Sequence, residues 1–229
     1  MTDISQNIVQ VKQRIIAAAE AANRDPVEIK LLAISKTYPA EAIISAITAG
    51  QTAFGENYLQ SALPKILALE NDYPDLEWHF IGAIQSNKTN DIARHFNWVH
   101  TLERLKIAQR LNNQRPETLP PMQVCIQVNI SGEGSKAGIP SEQVRVLADG
   151  IAKLPRLKLR GLMAIPAAST DPVEQRHAFA ALRGLYEQLN QKGFNLDTLS
   201  MGMSGDLEAA IAEGSTMVRV GTAIFGARA

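Results

Sequence analysis

Leu31-Leu32-Ala33-Ile34-Ser35-Lys36-Thr37-Tyr38-Pro39 reads as a buried strand that delivers a lysine to its carboxyl end and then turns into a helix. A short, nearly continuous apolar run near the N-terminus is the pattern of a strand covered on both faces, as in a parallel sheet. Pro39 falls in the first turn of the following segment, where its fixed φ and missing N–H suit a helix start. Lys36 admits two readings. A strand-end lysine can lay its stem along apolar surface and keep its ammonium in water. Alternatively, it stands where α/β proteins gather their ligand chemistry, and partial desolvation there makes a lysine amine a usable nucleophile for a carbonyl.

Outward from this stretch, strand and helix signals alternate. Ile4, Ile8, Val11 and Ile15 form the stripe of an amphipathic helix ahead of the first strand. Strands are expected at 31–35, 52–55, 77–81, 98–101, 123–129, 158–164, 198–201 and 217–220. Eight strands, each followed by a helical segment, predict an α/β fold: a single (β/α)8 TIM barrel over 1–229 with an extra N-terminal helix. The competing architecture is an open, doubly wound sheet. Helix punctuation agrees with the alternation. Gly50 follows the second helix, Ser141 is expected to cap a helix that Pro155 stops, and Asp171-Pro172 opens another that Gly193 follows. Pro64 falls inside the apolar pattern Leu59, Leu63, Ile66, Leu69, so that helix either starts late or kinks. Residues 115–121, rich in proline, resemble a linker but read as a surface loop, because the alternation continues on both sides.

Composition narrows the function. The chain has 229 residues, 45% hydrophobic and 20% charged, with 23 basic and 23 acidic side chains. A formal net charge of zero argues against nucleic-acid binding through a general basic field, though a local anion site is compatible with it. The lone Cys125 sits in an apolar run, which fits core packing and a reducing compartment. No secretory signal is visible, and no apolar run approaches the roughly 18 residues of a membrane helix. A soluble, cytoplasmic protein is expected.

In a barrel, function gathers at the carboxyl ends of the strands. Two segments there matter most besides Lys36. Ser204-Gly205-Asp206 reads as a helix start with Ser204 as the cap, and Gly221-Thr222 follows the eighth strand. Barrel proteins often bind phosphate on such backbone amides. A lysine at one end and a phosphate cradle at the other suit a ligand with a carbonyl and a phosphate, and pyridoxal phosphate has that chemistry. Arg219, near the end of strand eight, has three roles open to it: a phosphate contact, a hydrogen bond to a ring nitrogen, or an internal ion pair. Gly132-Glu133-Gly134-Ser135-Lys136-Ala137 matches a dinucleotide-binding turn in form. Gly138-Ile139-Pro140 intervenes before the helix, so the segment reads as a loop over the barrel mouth with a solvated Lys136. His79, His95, His100 and His177 show no metal-ligand spacing, and His79 reads as a hydrogen-bonded core residue.

The motifs together resemble the pyridoxal phosphate homeostasis protein family, single-domain relatives of the alanine racemase barrel. They are Ile34-Ser35-Lys36-Thr37-Tyr38-Pro39, Phe54-Gly55-Glu56-Asn57-Tyr58, Trp78-His79-Phe80-Ile81-Gly82 with Gln85-Ser86-Asn87-Lys88, Gly161-Leu162-Met163, Leu199-Ser200-Met201-Gly202-Met203-Ser204 with Asp206, and Val218-Arg219-Val220-Gly221 with Ile224-Phe225-Gly226. The resemblance implies that Lys36 forms the internal aldimine with pyridoxal 5'-phosphate (PLP). It implies that Ser204, Gly205, Gly221 and Thr222 hold the phosphate, that Asn57 and Met201 line the ring site, and that Arg219 lies near the ring nitrogen. It further implies a PLP-binding role in vitamin B6 and amino-acid balance, without an established reaction. Apo PLP enzymes or regulatory proteins are the partners to expect. The chain stops at Ala229 without the second domain of alanine racemases, from which a monomer is expected, and no second proton-transfer group stands out beside Lys36. The rival readings are a weak PLP-dependent racemase, a cofactor-free Schiff-base aldolase acting on a sugar phosphate, and a regulatory protein for which the ligand is only a signal.

Overall fold

Eight parallel strands hydrogen-bond in chain order: β1 (Lys30–Ile34), β2 (Ala53–Glu56), β3 (Glu77–Phe80), β4 (Trp98–Leu102), β5 (Met122–Gln127), β6 (Leu157–Met163), β7 (Thr198–Ser200) and β8 (Met217–Val220). The ring closes because β1 pairs with β2 on one edge, Ala33 beside Phe54, and with β8 on the other, Leu32 beside Arg219. The closed barrel excludes the open sheet. The computed structural model describes residues 3–134 and 136–226; Ser135 of the glycine-rich segment lies outside them. Observed strand limits differ from the sequence reading by at most two residues, at the frayed ends where pairing stops.

The helices are α1 (Ile4–Ala21), α2 (Ala40–Thr48), α3 (Leu59–Leu69), α4 (Thr89–His95), α5 (Leu105–Gln114), α6 (Ser141–Ile151), α7 (Pro172–Gln191), α8 (Leu207–Ala212) and α9 (Thr222–Phe225). Asp3 caps α1 by accepting from the Gln6 amide, and Asp171 caps α7 by accepting from Val173 ahead of Pro172. One expectation needs correction and another is narrowed. Ser141 is the first residue of α6 and gives no side-chain cap, since Pro140 occupies the cap position. Of the two readings offered for Pro64, the late start is excluded, because α3 begins at Leu59 and runs through it. The amide it lacks would have bonded the carbonyl of exposed Gln60, and water can serve that group instead. Burial of Leu59, Ala62, Ile66 and Leu69 holds the helix.

Strand alternation sorts the core into two shells. Leu32, Ile34, Trp98, Cys125, Met163 and Met217 point into the barrel. Leu31, Ala33, Phe54, Val124, Leu199 and Val218 point outward against the helices. Helix α1 buries Ile8, Val11 and Ile15 in this outer shell, each worth about 1.5–3 kcal/mol of hydrophobic stabilisation. It also reaches the turn after β7 and helix α9: Arg14 donates to the Ser204 carbonyl at 3.1 Å, and Asn7 Nδ2 donates to the Ile224 carbonyl at 2.8 Å. Among the described residues no helix is long and apolar enough to cross a membrane.

Candidate functional site

Alternation along β1 settles where Lys36 goes. Ile34 faces the barrel interior and Ser35 the helices, so Lys36 returns inward at the carboxyl mouth, where it lines a cavity of about 650 Å³. That size lies within the usual range for small-ligand pockets. Asn57, Ser204, Gly205, Arg219, Gly221 and Thr222 line the same cavity, so seven of the eight site residues named from the sequence come together.

Met201 does not join them. Thr198 and Ser200 of β7 face inward, which turns Met201 outward into the helix-facing core, fully buried. The sequence reading placed it correctly in the chain but on the wrong face. Ser204 also differs from expectation. It lies in a turn ahead of α8, and the cap position belongs to Asp206, whose carboxylate accepts from the Met203 amide at 2.5 Å. Gly202 makes this turn possible: it has φ +93°, and a Cβ there would stand 2.6 Å from the Ala210 Cβ.

Arg219 is 4% exposed and points inward from β8. Its Nη1 donates to the Ser200 carbonyl at 2.5 Å and to Ser200 Oγ at 2.9 Å, and its Nη2 donates to the Ala164 carbonyl at 2.9 Å. These are neutral acceptors, and no ion pair to Arg219 occurs among the described residues. Burial pushes the guanidinium down to about 10, which leaves it charged at neutral pH. From Ser200 a hydrogen-bonded file runs down the barrel. Ser200 Oγ lies 2.8 Å from His100 Nδ1, and His100 Nε2 lies 2.9 Å from His79 Nδ1. The hydrogen-bonded file ends there: His79 Nε2 faces Glu77 Oε2 at 3.4 Å without a hydrogen bond of good geometry, and Glu77 accepts from Lys30 Nζ at 2.6 Å. Arginine only donates and an ionised carboxylate only accepts, so the arrangement that suits every member has each donor pointing from Arg219 toward Glu77. Burial pushes His79 down to about 4 and His100 well below the usual imidazole range, so both are neutral. The facing imidazole and the Lys30 ammonium hold the Glu77 carboxyl down at about 2.

The turn that carries Lys36 is strained. The Tyr38 amide donates to the Ser35 carbonyl at 3.1 Å, and Thr37 has φ +71°, a left-handed position unfavourable for a β-branched residue. Sequence reasoning missed what surrounds this turn. Lys65 of α3, 8% exposed, donates from Nζ to Glu56 Oε1 at 2.5 Å, to the Ser35 carbonyl at 3.1 Å and to the Tyr38 carbonyl at 3.3 Å. It also missed Tyr58 and Glu103, which line the cavity.

A second cavity, about 640 Å³, opens at the amino mouth. Its charges largely satisfy one another, Lys30 with Glu77 at 2.6 Å and Arg160 with Asp197 at 2.7 Å. The carboxyl mouth is different: Asn57 Oδ1 is buried without a partner, an acceptor that a ligand donor would satisfy. An amine, a buried guanidinium, two hydroxyls and that acceptor make a donor set that fits a phosphorylated aldehyde.

Comparison with known proteins agrees with this geometry. The sequence matches the family described as alanine racemase, N-terminal domain, over residues 5–229. It is 58% identical over 228 residues to a pyridoxal phosphate homeostasis protein of Pseudomonas aeruginosa, covering 100% of this chain and 97% of that one. The PLP-bound structure of PipY from Synechococcus elongatus superposes with a TM-score of 0.84 at 35% identity, covering 97% of this chain and 100% of that one. An alanine racemase from Corynebacterium glutamicum shares the fold, with a TM-score of 0.67 at 18% identity, over 97% of this chain and 59% of that one.

Proposed function

The chain belongs to the family of alanine racemase N-terminal domains, and from that premise we propose that it binds PLP through Lys36 and serves the cell's handling of that cofactor without a turnover of its own. The observation that carries this reading is the convergence of Lys36, Asn57, Ser204, Gly205, Arg219, Gly221 and Thr222 on one cavity. The PLP named with the Synechococcus structure and the homeostasis role named for the Pseudomonas protein support it.

When bound, the cofactor supplies an aldehyde that condenses with an amine to a Schiff base and one water. The chain's own residues divide the remaining work. Lys36 would be the amine that holds the group, its Nζ supplying the nucleophilic electron pair. Ser204 and Thr222 offer hydroxyls, and Gly205 and Gly221 closely approachable backbone, to the phosphate. Arg219 presents a cation that cannot accept a proton, so a ring nitrogen facing it stays unprotonated and the ring withdraws electrons weakly. Weak withdrawal disfavours chemistry at an amino-acid α-carbon and favours simple holding and exchange. The half-buried position of Lys36 suits exchange with apo enzymes. We take the protein to act as one unit, as a monomer and in the cytoplasm, where a single buried cysteine is at home.

The test is the near-ultraviolet and visible spectrum after incubation with PLP, beside Lys36→Ala. A Schiff-base band in the parent and not in the variant is expected. A parent without the band would remove the PLP reading. A second reading, a weak PLP-dependent racemase, is favoured by Tyr58 and Glu103 on the cavity wall, either of which can carry a proton. Lys36-dependent exchange of the alanine α-hydrogen in deuterated water would establish it over the non-catalytic one.

A further inference from the structure

We propose that Lys65 is a positioning residue for Lys36: its ammonium, anchored by Glu56, closes the strained Ser35–Tyr38 turn from behind and so presents the Lys36 amine to the cavity. The proposal rests on the reading of Lys36 as the residue that links to PLP.

The pair stands in an unexpected place. It lies in the mostly apolar shell between barrel and helices, with Glu56 fully buried and Lys65 8% exposed. A buried ion pair gives up the hydration of both partners and adds little net stability. This pair is worse placed than most, since Glu56 Oε2 has no hydrogen-bond partner. Stability is a poor account of it.

Its contacts give a better one. Lys65 Nζ holds the carbonyls of Ser35 and Tyr38, the first and last residues of the turn. Ser35 Oγ donates to the same Glu56 oxygen at 2.5 Å. Thr37 sits between them at φ +71°, and strain of that kind persists only where the surroundings over-determine it. Lys65 supplies the determination from α3. On the other side, Tyr38 Oη donates to the Gly226 carbonyl at 2.7 Å and its ring stacks on Phe225 at 4.9 Å. The turn is thus fixed between α3 and α9. Because Ser35 faces out and Lys36 faces in, holding the flanking carbonyls aims the lysine.

The experiment uses Lys65→Met combined with Glu56→Gln, which leaves no unpaired buried charge. In cofactor-free protein, hydrogen exchange at the Tyr38 amide should accelerate, because its acceptor is no longer held. With PLP added, the Lys36-dependent absorbance should appear at least about tenfold more slowly, as expected for a misplaced reacting group. Adding Thr37→Gly should recover most of that rate, since glycine adopts the turn without strain. Leu69→Ala, a core change on the same helix, should lower the melting temperature without slowing the absorbance. Wild-type rate and unchanged Tyr38 exchange in the double variant would overturn the proposal. So would slowing by Leu69→Ala equal to that of the double variant with no recovery by Thr37→Gly. If the double variant does not fold, Lys65→Arg keeps the charge and should slow the rate in the same direction; no slowing there overturns the proposal. A wild-type protein with no absorbance change would sink the PLP reading instead, while Tyr38 exchange would still judge the clamp.

Discussion

Arg219 and Glu77 stand at opposite ends of one file of polar groups through the barrel, with Ser200, His100 and His79 between them. The cation that faces the carboxyl-mouth cavity is therefore oriented by groups that extend to the amino mouth. Neutral imidazoles let the file run in one direction.

That neutrality makes the fold acid-sensitive in two steps. His79 takes a proton near pH 6.5 when unfolded but only near pH 4 when folded, so its contribution is fully present above 6.5 and is lost as pH falls through 4. The loss amounts to roughly 3 kcal/mol. His100 acts in the same direction. Glu77, held at about 2 against an ordinary 4.5, adds a second loss between those values. Urea denaturation at pH 7 and pH 4.5 should show a large drop for the parent and a smaller one for His79→Gln. Equal drops would refute the assignment to His79.

Replacing Arg219 with Met should destabilise the protein by about 2–4 kcal/mol, because three buried acceptors on Ser200 and Ala164 lose their donor. Lysine keeps the charge but not the fork that reaches all three. Arg219→Lys should therefore fall between parent and Met in urea midpoint and release PLP faster on dialysis. A lysine variant indistinguishable from the parent would show that the fork is dispensable.

Gly82 approaches Asn57 so closely that an added Cβ would stand 2.0 Å from the Asn57 carbonyl oxygen. Gly82→Ala must push the β2–α3 loop away, at a cost of about 1–3 kcal/mol or more. Because Asn57 lines the cavity, PLP retention should fall along with the melting temperature. Titration with PLP checks this; unchanged affinity would mean that Asn57 does not contribute.

Cys125 is fully buried, and burial pushes its thiol up to about 12. Iodoacetamide at pH 8 should label it only once the protein unfolds, at least about a hundredfold more slowly than in denaturant. Mass spectrometry of the folded protein reads this directly, and rapid labelling would show that the barrel interior opens.

The barrel was legible because its signals are local. Apolar runs such as Leu31–Ile34 and the cap before α7 need no knowledge of distant residues. Seven cavity residues were legible because strand ends in a barrel converge whatever their spacing in the chain. Met201 failed at the level of a single residue, since a loop starting one position early or late reverses the face. Lys65 was invisible because a lysine within an apolar helix pattern looks like its solvated edge; only the buried Glu56 opposite makes it a core residue. The His79–His100 contact joins side chains 21 positions apart across adjacent strands, and nothing in either local sequence announces it.

Closure of β1 on β8 also sets when the cavity can exist. On the ribosome Lys36 emerges early, whereas Ser204 and Thr222 follow 168 and 186 residues later. At ~5–20 residues per second, that interval is on the order of ten seconds or more. Through it the stripe of Ile8, Val11 and Ile15 on α1 lacks α8 and α9 to cover it. A nascent chain therefore exposes apolar surface while Lys36 has neither Ser204 nor Thr222 opposite it. The cavity is complete only once the final strand and the Thr222 that follows it have joined the barrel.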